Sequence, residues 1–116
     1  MKEFRNLHAV LDEVTDLWSP HVVASVNDYD VKAAKVAGAY PEHAHDETDE
    51  LFIVLAGRLY LDLPDRTVTL DPMDVFVVPR GVLHRPRADP GTRIVNVEPR
   101  GTTQDGTASG TTGVRL

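Results

Sequence analysis

No cysteine occurs in the 116 residues, which excludes disulfides as a source of stability and thiolates as metal ligands. Any metal site must therefore be built from His, Asp or Glu. Positive charge is scarce as well: 12 Lys and Arg stand against 18 Asp and Glu, a formal net charge of -6 with a pI near 5.2. Phosphate backbones are gripped by clustered Lys and Arg, so a nucleic-acid partner is excluded. Long apolar runs are missing. Met1 to Leu17 lacks the continuous apolar core of a secretion signal, and nowhere do about eighteen apolar residues follow one another. We read the chain as cytoplasmic, without a membrane partner. Its length has room for one core, so residues 1–116 are taken as a single domain.

What is present suits a globular protein: 41% of residues are apolar and 26% charged. Phe4, Leu7, Leu11, Val14 and Trp18 alternate in steps of three and four, which predicts an amphipathic helix within residues 1–19, ended by Pro20. The pattern then changes to short Val-, Leu- and Ile-rich runs over His21–Asn27, Val31–Ala37, Glu50–Ala56, Arg58–Leu63, Thr67–Leu70, Val75–Val78 and Arg93–Glu98. Turn formers separate them, among them Asn27-Asp28, Gly57, Asp71-Pro72, Pro79-Arg80-Gly81 and Asp89-Pro90-Gly91. Residues 21–99 therefore read as an all-β sandwich or barrel. The tail, residues 100–116, is rich in Gly and Thr and cannot offset its own ordering entropy; it is expected to move or to dock.

In Glu50–Ala56 alternation puts Glu50, Phe52 and Val54 on one face and Leu51, Ile53 and Leu55 on the other. Both faces are apolar, so the outer one requires cover. We expect a homodimer, the alternative being a monomer with the helix laid over that face. A carboxylate at Glu50, if it faces inward, requires a partner. His43 and His45, at i and i+2, point the same way in an extended chain, and imidazoles around a cation would supply that partner.

The stretch Gly38-x4-His43-x-His45-x4-Glu50-x6-Gly57 resembles the first motif of the cupin superfamily, and Pro79-x-Gly81-x2-His84 resembles the second. Their combination is specific, whereas His-x-His alone is common. The resemblance implies a cupin jelly-roll β-barrel in which His43, His45, Glu50 and His84 converge on one divalent transition metal: Fe, Mn, Ni, Cu, Co or Zn. Three positions depart from the pattern. Gly38 and His43 enclose one residue fewer than usual, Met73 stands where the second motif opens with Gly, and Ala88 replaces its closing Asn. A side chain at Met73 disfavours positive φ, so a different turn is expected there.

Other candidates carry plainer readings. Asp46, Glu47 and Asp49 are placed in a solvated acidic loop ahead of a role orienting imidazoles. His8 is a boundary residue of the helix, and His21 opens a strand, where a place at the barrel mouth is the lesser alternative. Tyr40, Arg58, Arg80 and Arg85 are candidates for orienting an anionic substrate, although Arg58 and Arg80 sit beside turns. Trp18 is taken as the end of the helix stripe.

Four protein ligands leave coordination positions open. The expected function is a metalloenzyme acting on a small organic molecule, an oxygenase with Fe, or an isomerase or lyase with Mn, Ni or Zn. The alternative is a non-catalytic, metal-braced binding module for a sugar or organic acid; a structural dimer with a vestigial site ranks last. No general base is legible.

Overall fold

The computed structural model describes residues 3–104 and 106, and the backbone of residues 114 and 115. One short helix, α1 (Leu7–Asp12), precedes β1 (His21–Val26), β2 (Tyr29–Ala39), β3 (Glu50–Ala56), β4 (Leu59–Asp62), β5 (Thr67–Leu70), β6 (Val75–Val78), β7 (Arg85–Pro99) and β8 (Val114–Arg115). Strands run in the order β5-β4-β7-β2-β1-β8, with β3 bridging β6 and β7. Every pairing is antiparallel except β1 with β8. This is the all-β jelly-roll barrel expected from the motifs. Among the described residues, no helix is long and apolar enough to cross a membrane.

Strand β7 holds the barrel together, and it corrects the sequence reading. Asp89-Pro90-Gly91 does not end a strand. Along β2 the partners step from Val36–Thr92 to Gly38–Ala88, so those three residues bulge out of a continuous β7. The portion before the bulge pairs with β4, and the portion after it with β3. Thr92 pins the irregularity: its Oγ1 accepts from the Arg58 N–H at 3.0 Å and donates to the Asp89 carbonyl at 2.7 Å. Gly57 lies against it, and a Cβ there would come within 2.3 Å of Thr92 Oγ1.

The inner core gathers Ala34, Val36, Phe52, Val54, Leu59, Leu61, Leu70, Val78, Ala88 and Ile94. Alternation along β3 holds, with Glu50, Phe52 and Val54 buried inside. Outside, Ile53, Leu55, Val95 and Val97 pack with Leu7, Leu11 and Val14. The helix is fastened there by Arg93, which donates to Asp12 at 2.7 Å.

The helix is shorter than its apolar stripe predicts. Asn6 caps its start, Oδ1 accepting from the Ala9 N–H at 3.0 Å, and Phe4 is left 73% exposed. The other end is taken over by the sheet. Leu17 bridges to Lys35, the Trp18 N–H donates to the Lys35 carbonyl and its indole N–H to the Ala37 carbonyl, with Trp18 at φ 56°. Hydrogen bonds to β2 outweigh helix periodicity.

The turn at Met73 also differs from expectation, in the opposite sense. Met73 adopts φ 74° despite its side chain. Four hydrogen bonds over-determine the turn: Met73 N–H to the Val54 carbonyl, Val54 N–H to that of Asp74, Asp74 N–H to that of Asp71, and Asp71 N–H to Asp74 Oδ2. The strain is carried, not avoided. Of the tail, Val114–Arg115 pairs with β1 and Thr102 and Gln104 bond back to the barrel, while residues 105, 107–113 and 116 lie outside the described residues.

Candidate metal centre

Two loops meet at a single β-bridge. His43 N–H donates to the His84 carbonyl at 3.0 Å and His84 N–H to that of His43 at 2.9 Å, which sets the two imidazoles side by side with ring centroids 4.4 Å apart. The turn Pro79–Val82, with Gly81 at φ 76°, aims the second loop, and Gly81 N–H donates to the His45 carbonyl. Two residues beyond His43, His45 presents its ring on the same side, 5.1 Å away. Glu50 enters from the head of β3.

All four side chains are buried, and one ligand atom from each lies within 4.8 Å of all the others. His43 Nδ1 donates to the Pro41 carbonyl at 2.8 Å and His84 Nδ1 to that of Val82 at 3.0 Å. A neutral imidazole that donates from Nδ1 presents a bare lone pair at Nε2. Yet His84 Nε2 faces Glu50 Oε1 at 3.1 Å, and His45 Nε2 lies 3.4 Å from the same oxygen, buried and without a hydrogen bond among the described residues. Converging acceptors demand a proton or a cation between them, and three imidazole nitrogens with one carboxylate oxygen fit a divalent transition ion.

In the absence of a cation, a proton on the imidazoles is the other way to satisfy the group. Burial pushes the Glu50 carboxyl up, but the His45 and His84 imidazoles outweigh it and hold its pKa at about 2. Burial lowers the pKa of His43. It acts on His45 too, but the Glu50 carboxylate overrides it and the net shift is upward.

Beside the group lies a cavity of about 40 Å³, room for a few waters or the reacting end of a small molecule. Trp18, Tyr40, Phe52, His43, Glu50 and Glu98 are among its walls. Trp18 stacks at 5.2 Å on Tyr40, which meets the His43 ring edge-on at 5.5 Å. Trp18 is thus a cavity residue, not the end of a helix stripe. Gln104 also lines it, its side-chain amide donating to the Trp18 carbonyl at 2.5 Å.

Of the proposed anion-orienting residues only Tyr40 lines this cavity. Arg58 pairs with Asp71 and Arg85 with Asp62 on the surface, and Arg80 serves through its backbone N–H, which donates to Asp49. Asp49 is therefore a turn brace. Among the described residues, the imidazole Nδ1 atoms of His43 and His84 bond to backbone carbonyls, not to Asp46 or Glu47. His21 Nδ1 is tied to the Ser19 carbonyl and His8 Nδ1 to Arg93, both apart from the cluster.

Sequence reasoning passed over Glu98, Lys32 and Asn96. Inward alternation through Ile94, Asn96 and Glu98 on β7, and through Asp30, Lys32, Ala34 and Val36 on β2, carries the signal. Glu98 is 3% exposed, and its Oε1 accepts from Lys32 Nζ at 3.1 Å. Burial, then the Glu50 charge, push its carboxyl up to about 7.

Fold and site together define a jelly-roll β-barrel protein with a buried His/Glu group able to hold a metal ion. Residues 31–98 match the cupin domain model, and the chain belongs to the cupin family. It is 38% identical over 89 residues to the uncharacterized protein YdbB of Bacillus subtilis, covering 76% of this chain and 79% of that one. The crystal structure of a cupin-2 domain protein from Shewanella frigidimarina superposes with a TM-score of 0.81 at 38% identity, over 83% of this chain and 94% of that one. A further 75 residues' match, 31% identical, is to an acireductone dioxygenase of Candida albicans; it covers 60% of this chain but 42% of the enzyme.

Proposed function

We propose that His43, His45, Glu50 and His84 bind one divalent transition ion, and that the protein is a metalloenzyme acting on a small organic molecule in the adjoining cavity. The observation that carries the reading is the meeting of lone-pair-bearing Nε2 atoms and the Glu50 carboxylate, buried within 4.8 Å of one another. When bound, such an ion supplies Lewis-acid polarisation and, if it is Fe, the means to engage dioxygen. The chain's own residues do the rest. Backbone carbonyls of Pro41 and Val82 hold the His43 and His84 rings in orientation, while Trp18, Tyr40 and Phe52 exclude bulk water from the reacting end. The match to part of a dioxygenase supports an oxygenase over an isomerase or lyase.

The test is metal analysis of untagged protein, then oxygen uptake by the Fe(II)-loaded form with a panel of diketones and catechols. Stoichiometric metal with uptake abolished by His84→Ala supports the reading. Metal without turnover of any candidate favours the non-catalytic binding module, and failure to take up any transition ion overturns both.

We further infer a homodimer formed through the outer face of β3 and β6. Val75, Val77 and Tyr29 are exposed there around Leu51, beyond the reach of α1.

A further inference from the structure

Buried charge in this barrel is not confined to the four converging residues. On β7, one step beyond the Leu51–Val97 pair, Glu98 comes opposite Glu50 on the inner face. Its two oxygens are treated differently. Oε1 is held by the ammonium of Lys32, itself 1% exposed and fixed a second time by the Thr102 carbonyl at 3.2 Å. Oε2 is buried and has no hydrogen-bond partner among the described residues. A buried oxygen without a partner is disfavoured, so proteins leave few of them, and one on a cavity wall is an acceptor awaiting a donor. Lys32 holds the carboxyl through Oε1, which leaves Oε2 as its unused oxygen, on a residue that lines the cavity together with Glu50 and His43.

We propose that Glu98 is a ligand-binding residue whose Oε2 accepts a hydrogen bond from a hydroxyl or N–H of the bound molecule, with Lys32 as its positioning residue. This rests on the metalloenzyme reading and names the ligand class: a small molecule with a lone-pair donor at one edge, for the metal centre, and a hydrogen-bond donor at the other. A second carboxylate on the cavity wall selects against anionic groups at that far edge. The apolar walls give a flat ligand van der Waals contact, and Tyr40, Asn96 and Gln104 are the other polar residues of the lining.

The experiment compares imidazole with 1-methylimidazole, probes that share the metal-binding nitrogen and differ in the N–H at the opposite edge. Both are titrated at about pH 8, where the Glu98 carboxyl is ionised and its Oε2 is an acceptor, into Co(II)-loaded protein and followed by its visible spectrum. Wild type is expected to prefer imidazole by about tenfold or more, as for a hydrogen bond to a charged acceptor. The preference should collapse toward unity in Lys32→Met/Glu98→Leu, which removes the pair without stranding a charge, and shrink in Glu98→Gln, which keeps the shape. A wild type without preference, or a preference that persists unchanged in both variants, overturns the proposal and leaves the metal centre standing. Failure to take up Co(II) stoichiometrically removes the metal reading and this one with it.

Discussion

His84 Nε2 and Glu50 Oε1 stand 3.1 Å apart across 34 residues of chain, brought together by the head of β3 and a two-residue bridge between loops. The contact is buried, and each group lowers the other's tolerance for being left alone.

Glu50→Gln keeps the shape and removes the charge, and metal affinity should fall by at least about a hundredfold. The only tryptophan gives the measurement. Trp18 stacks on Tyr40, which touches His43, so Cu(II) added to metal-free protein should quench its fluorescence at one equivalent in the wild type and far later in the variant. Equal titration curves would refute the assignment.

Metal-free protein should lose stability as pH rises from about 5 to about 8. Glu98 holds its proton up to about 7 in the folded state, against 4.5 for an ordinary glutamate, so the native state binds more protons in that window. The associated loss is about 3 kcal/mol at most. His45, raised, adds to the fall as pH climbs; His43, lowered, opposes it below its ordinary 6.5. Glu50, held at about 2, matters only in stronger acid. Melting temperatures in the presence of chelator should show the slope, and Glu98→Gln should remove most of it.

Substitutions at three left-handed positions should divide cleanly. Met73→Gly relieves a side chain at φ 74° and should stabilise by about 1 kcal/mol. Gly81→Ala meets nothing within 4 Å and should cost about 1 kcal/mol, the backbone penalty alone. Gly57→Ala drives a Cβ to 2.6 Å from Thr92 Cα and should cost about 3 kcal/mol or more. Urea denaturation reads all three; a neutral Gly57→Ala would refute the close approach.

If the proposed dimer forms, light scattering on a sizing column should give a dimer mass for the wild type and a folded monomer for Val77→Lys, and a monomeric wild type would refute it. Val77 is 43% exposed on the outer face of β6, so a lysine there has water to reach and the barrel core is untouched.

The barrel was legible because strand alternation and turn residues are local signals, and the His43, His45, Glu50 and His84 grouping because its motifs have fixed spacing. Trp18 and the true helix end were not, since Trp18 bonds to β2 instead of continuing the helix, and those partners lie 17 to 19 residues away. Met73 misled in a different way: propensity argues against positive φ, but four turn hydrogen bonds decide it. Lys32 and Glu98 were readable by alternation in principle. Their charges suggested surface, and only the β2–β7 register turns them toward each other.

The Thr92 hydroxyl acts as a latch against sliding. A one-residue slip of β7 would turn Ile94, Asn96 and Glu98 outward together and swing Arg93 and Val95 into the barrel. The three-residue bulge and its hydroxyl clasp give that slip nowhere to go. One small polar side chain, remote from the imidazoles, therefore sets the angular alignment of the far cavity wall.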